Sequence, residues 1–175
     1  MAETNDRREL ILERLATILS GLTIPILGGP APKVATSIPA GNFVRNRNEL
    51  DAKAVPGIIL LDADEVQVPY KRPERGMTER GVPDTIMKMT PEIYVILDVR
   101  GITNENVGPD LNAARLAILA AVLPDQQLQK IVGPNGDICY DGTVTDLARN
   151  RSMKGQLGIS LTFKYPLKLP EYRGV

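Results

Sequence analysis

Leu157-Gly-Ile-Ser-Leu-Thr-Phe-Lys-Tyr-Pro-Leu-Lys168 alternates more strictly than any other part of the chain. Leu157, Ile159, Leu161, Phe163, Tyr165 and Leu167 take one parity; Gly158, Ser160, Thr162, Lys164, Pro166 and Lys168 take the other. Successive side chains of a strand point to opposite sides, so this pattern predicts a long antiparallel strand with one covered and one wet face. Such a sheet has to bury its apolar side against another layer.

Two segments are suited to form that layer. Residues 6–20 carry Leu10, Ile11, Leu15, Ile18 and Leu19 at helical spacing, with Asn5 or Asp6 as the cap and Gly21 as the stop. Residues 106–123 read as a second helix, capped by Asn104 or Asn106, with Pro109 tolerated in its first turn. From Leu116 to Leu123 it holds no charge, which predicts a central place against the sheet, a neighbouring subunit, or both.

Two more strands are legible upstream. Ile58–Asp62 opens on an all-apolar run, the mark of a strand covered on both faces. In Ile93–Arg100, Ile93, Val95, Leu97 and Val99 share one side. Ile131–Tyr140 reads as a hairpin turning at Pro134-Asn-Gly136, and Asp141–Arg149 as a turn followed by a short helical segment. Residues 23–56 read mostly as loop, with short strands near Val34 and Phe43. The expected class is α+β: one domain over residues 1–175, a mainly antiparallel sheet, and two principal helices mostly on one face.

Between the two upstream strands lies a stretch with almost no apolar periodicity, read as a long charged loop over residues 66–88. Its middle, Tyr70–Asp84, contains Lys71, Arg72, Arg75 and Arg80 but no nucleophile–base pair, metal-ligand spacing or phosphate cradle. A loop that long in a small domain usually binds something. It is therefore expected to be a docking arm.

Composition narrows the chemistry. The chain has 175 residues, 43% of them apolar, enough for one real core. The formal charge is zero, yet residues 57–141 hold eight Lys/Arg against thirteen Asp/Glu (net −5) and residues 142–175 hold six against two (net +4). That polarity suits self-association between unlike surfaces. It offers no basis for sequence-specific nucleic-acid binding. His and Trp are absent, and Cys139 is the sole cysteine, so neither a disulfide nor a His-assisted thiolate or zinc site is available; Cys139 is expected in the core. The polar start and the lack of a spanning apolar run predict a protein made in the cytoplasm without a membrane partner.

Gly28-Gly-Pro-Ala-Pro-Lys33 lacks the second glycine and hydroxyl residue of a phosphate loop, and its prolines remove N–H donors. Asp62-Ala-Asp-Glu65 has no second acidic cluster to complete a cation site. No carboxylates form a recognisable acid–base constellation. No cofactor and no catalytic activity are expected. The remaining candidates are contact residues: the loop cations above, and Arg45, Arg47, Arg149 and Arg151 with Leu116 and Leu119 as subunit-interface candidates.

Several phrases resemble the tail terminator (tail completion) proteins of long-tailed bacteriophages. They are Arg45-Asn-Arg-Asn-Glu-Leu50, Pro56-Gly-Ile-Ile-Leu-Leu-Asp-Ala-Asp-Glu65, Met89-Thr-Pro-Glu-Ile-Tyr-Val-Ile96, Val107-Gly-Pro-Asp-Leu-Asn112, Tyr140-Asp-Gly-Thr-Val-Thr-Asp146 and Arg151-Ser-Met-Lys-Gly155. The resemblance implies a virion protein that closes as a six-membered ring on the head-proximal end of the tail. Implied partners are further copies of itself, the tail tube protein and head–tail connector proteins, with non-specific contact to passing DNA. Alternatives are another head–tail connector or neck protein, or a small-molecule-binding module or enzyme.

Overall fold

The computed structural model describes residues 6–26, 37–68, 86–98, 104–146 and 154–167. The class is α+β, with three helices and a mostly antiparallel sheet. In chain order the elements are α1 (Arg7–Gly21), β1 (Ile24–Pro25), β2 (Ser37–Ile38), β3 (Phe43–Arg45), β4 (Gly57–Leu61), β5 (Glu65–Gln67), β6 (Ile86–Met89), β7 (Glu92–Asp98), α2 (Asn104–Val122), α3 (Gln126–Val132), β8 (Asp137–Asp146) and β9 (Lys154–Pro166). A 3-10 turn spans Ala52–Ala54, and β1 and β2 pair apart from the main sheet.

Strand β9 organises that sheet. One of its edges takes β7 along Lys154–Ser160 and β6 along Phe163–Pro166; the other takes β8. Met89 lies opposite Phe163 and Glu92 opposite Ser160, three residues on along each chain, so β6 and β7 are one strand in one register. The ladder lapses between them at Thr90-Pro91, where proline has no N–H to donate. On their far side β4 pairs with β7 and β5 with β6. Leu61 faces Glu92 and Glu65 faces Met89, four residues against three, so Asp62-Ala-Asp64 holds one extra residue, as a bulge does. Strands β4–β5 and β6–β7 are thus the arms of one long hairpin.

The alternation read in Leu157–Lys168 is present. Leu157, Ile159, Leu161, Phe163 and Tyr165 are all buried under the helices, whereas Leu167 lies past the strand's end and is exposed. They pack with Ile11, Leu12, Leu15 and Leu19 of α1 and Val107, Leu111, Ala114, Ile118 and Val122 of α2. These helix positions recur at three and four residues, one stripe on each. Asp6 caps α1 by accepting from the Arg8 amide. The helix-facing layer also takes Ile58 and Leu60 of β4, while Ile59 turns the other way into a smaller cluster with Leu50 and Ile96. Burial on both sides explains the unbroken apolar run Ile58–Leu61.

Three expectations need correction. Residues 66–88 are not all loop: Val66 and Gln67 belong to β5 and Ile86–Lys88 to β6, leaving residues 69–85 outside the described part. Ile131–Tyr140 is not a hairpin, because Gln126–Val132 is a third helix. Asp125 caps it at one end, and Gly133, at φ 88, ends it in the left-handed region that glycine tolerates. Asp141–Asp146 is not turn and helix but the second half of β8, reached through a register shift between Tyr140 and Gly142. Two β-branched threonines and a valine favour strand there, and pairing to β9 outweighs the turn signal of Asp141-Gly142.

The Leu161 side chain is fully buried in the face that all three helices cover. Leu161→Asp places an unpaired carboxylate there at a cost of several kcal/mol, on the order of the whole domain's stability. The expected outcome is insoluble expression with no cooperative melt; a soluble variant that melts cooperatively would mean the strand's faces are reversed.

Candidate functional site

The sequence-derived contact residues separate into three groups. Lys71, Arg72, Arg75, Arg80, Arg149 and Arg151 lie outside the described residues. Arg47 and Leu116 are exposed, Leu116 at 59%, and Leu119 is half-buried against the core. Arg45 is engaged within the subunit.

Arg45 ends β3 on the helix-facing side of the sheet and reaches two carboxylates at once. Its Nε donates to Asp62 Oδ1 at 2.9 Å and one terminal nitrogen to Asp62 Oδ2 at 2.7 Å. The two terminal nitrogens donate to Glu9 Oε1 and Oε2 at 2.7 and 3.1 Å. Asn46, at φ 56, completes the ring: its amide nitrogen donates to Asp62 Oδ2, and its carbonyl oxygen accepts from the Asp62 backbone N–H, both at 2.9 Å. The planar guanidinium fork suits this double bidentate contact in a way that an ammonium cannot. The clamp ties α1, the end of β3 and the bulge after β4 into one unit, and Arg8 adds a bond to the Ala63 carbonyl.

Hydrogen bonds from Arg45 hold both Glu9 and Asp62 below the ordinary carboxylate range, against a smaller opposing effect of burial. Arg14 acts likewise on Asp125, the α3 cap, through bonds of 3.1 and 2.6 Å. Asp62 and Glu65, where the sequence offers no basis for a complete cation site, serve separately: Asp62 binds Arg45, and Glu65 accepts from the buried Tyr165 hydroxyl. Among the described residues no group of three or more metal-ligating side chains comes together.

The sheet's second face is largely free of helices. Tyr94 lies across Gly158, whose missing Cβ would sit 3.1 Å from the ring, and its hydroxyl bonds to Glu92. Lys88 stands directly opposite Lys164, and Asp137 flanks Lys164 on the other side. Cys139 belongs to this face, half-buried rather than in the core, with its thiol donating to Asp137; that bond and burial raise the thiol's pKa, which disfavours the reactive thiolate. A cleft between α3 and the start of β8, about 790 Å³, is lined by Gln126, Gln129, Lys130 and Ile138 among others. No single helix among the described residues is long and apolar enough to cross a membrane. Among the described residues, β3, β5 and β8 are the outer strands of the main sheet.

Neither the known protein-family models nor the curated protein sequences include one that matches this chain.

The clamp partners were hidden from sequence reading, because Glu9, Arg45 and Asp62 are far apart in the chain. Only the proximity of Asn46 to Arg45 offered a local signal. Replacing Arg45 by Lys keeps the charge but loses the fork, and should lower unfolding free energy by about 1–2 kcal/mol. The carboxylates have lowered folded-state pKa values, so their contribution is complete above the unfolded value of about 4 and is lost as pH falls through the folded values. Urea titrations across pH 2–7 should therefore show the Arg45→Lys deficit shrinking in acid below about pH 4. A deficit independent of pH would show that the clamp's charges are not what Lys fails to replace.

Proposed function

We propose that this chain is a tail terminator: a ring subunit that caps the head-proximal end of a phage tail tube and presents a surface to the head connector. The observation that carries the reading is where the family-like phrases fall. Arg45–Leu50 and Pro56–Glu65 are joined by the Arg45–Asp62–Asn46 clamp. Pro56–Glu65 and Met89–Ile96 supply opposite arms of the long hairpin. Val107–Asn112 opens α2, and Tyr140–Asp146 forms the outer half of β8. Residues separated in sequence thus contribute to one continuous sheet and its supporting clamp.

A ring subunit needs a rigid body, edges able to meet unlike edges, and a projecting element that engages a partner. The helix-backed sheet is suited to be the body. The long hairpin is suited to be the projection, since its arms lead directly into the segment holding Lys71, Arg72, Arg75 and Arg80. In this reading that segment contacts the tail tube, and lumen-facing cations touch the phosphates of passing DNA without reading sequence. The assembled protein belongs to the virion, on the tail.

Electron microscopy of particles made without the protein tests the reading: tails should be of uncontrolled length or unjoined to heads. Normal, joined tails overturn it. A second measurement isolates the arm. Replacing Lys71–Asp84 by a short Gly/Ser linker should leave the melting temperature nearly unchanged while abolishing tail completion. Loss of folding in that variant would assign the segment to the core instead.

A further inference from the structure

Five large apolar side chains are exposed among the described residues, and two belong to one outer strand, on opposite faces of the sheet. Tyr140 and Val144 are on β8, Val144 being 76% exposed. β8 itself is ten residues long and pairs only with β9, so its outer backbone groups have no strand partner among the described residues. Such an edge is a template for another strand.

The opposite rim holds β3 and β5, and among the described residues β3 pairs only with β4. β3 runs parallel to β4, β4 antiparallel to β7, and both β7 and β8 antiparallel to β9. The two outer strands therefore point in opposite directions. Placing the β3 rim of one copy beside β8 of the next pairs them antiparallel while keeping the helices on one side. The register shift at Tyr140/Gly142 divides β8, and the three residues Phe43–Arg45 fit the half Gly142–Asp146. On the open face of the sheet this brings Val44, half-buried beside the Ile59 cluster, toward exposed Val144.

We infer that the outer edge of β8 docks by strand addition on the β3 rim of a second copy, joining the subunit sheets head to tail around the ring. This rests on the terminator reading, which supplies the ring. Beside β3, exposed Arg47 and Lys53 are balanced by exposed Glu49 and Asp51, so backbone bonds and apolar contact dominate. The contact is accordingly insensitive to salt, unlike one made by opposed net charges.

The test starts from a Cys139→Ser background carrying Val44→Cys and Val144→Cys, assembled at high concentration or on tail tubes and treated with a short bis-maleimide. The expected product is a covalent ladder that ends at the ring's own mass. Each single-cysteine variant should give no ladder. Val144→Lys, at a position already in water, should keep the wild-type melting temperature and raise the concentration at which rings form about ten-fold or more. Wild-type rings without a cross-linked ladder, a Val144→Cys dimer through self-contact, or unimpaired rings from Val144→Lys would each overturn the edge contact and leave the terminator reading standing. A wild-type protein that stays monomeric on tubes and at high concentration would overturn both.

Discussion

Every long strand of the sheet depends on the pairing of β9. Its thirteen residues extend roughly 40 Å, and along that length the collinear β6 and β7 run on one side and β8 on the other. The same strand sends Leu157, Ile159, Leu161, Phe163 and Tyr165 into the layer shared with the helices. Register and burial are therefore the same constraint: a slip by one residue would expose all five side chains and break three ladders together. This is why β6 and β7 keep one register across a proline that interrupts their hydrogen bonding.

The Arg45 clamp works where that ladder cannot. β3 has three residues and, among the described residues, a single strand neighbour, too short to hold its own position by pairing. Arg45 secures its end to the bulge after β4 and to α1, using two carboxylates that would otherwise repel each other. A bulge twists and bends the strand that carries it. Bracing it there also fixes the direction in which β5 leaves the body, and with β5 the far end of the hairpin. A positioning network on the helix side of the sheet thereby sets the course of β5 alongside β6.

What was legible in the sequence had a period. The alternation of β9, the stripe of α1 with its Asp6 cap, and the double-sided apolar run of β4 could each be read from neighbours within a few residues. The errors fell where local chemistry and tertiary context disagreed. Pro134-Asn-Gly136 carries strong turn residues, and a turn exists there, but it joins α3 to β8 instead of two strands. Gly136 is close-packed, since a Cβ would lie 2.5 Å from the Lys164 carbonyl oxygen. The seven-residue α3 is too short for periodicity to separate from a strand. The long hairpin is hard to read locally because β5 and β6 are only three and four residues long, and pairing with distant β9 is what makes β6 a strand. Of the contact candidates, Arg45 could be singled out as notable, but nothing local revealed that its partners lie within the same subunit.

That reassignment bears on the proposed contact between copies, while Arg149, Arg151, Lys168 and Arg173 of the basic end lie outside the described residues. From composition, an acidic middle and a basic end suggested that charge would draw copies together. Arg45 is already neutralised within the subunit, and the exposed charges beside β3 cancel. Among the described residues, unused bonding capacity lies instead in the backbone of β8 and in the apolar surface of Val144 and Leu116. Association of that kind gains little at long range but forms directional ladders once edges meet. Its register is limited by the bulge in β8, because only one half of the edge also presents Val144. A contact with one permitted register repeats the same rotation from copy to copy, and a head-to-tail repeat closes into a ring when that rotation divides a full turn without a rise along the axis.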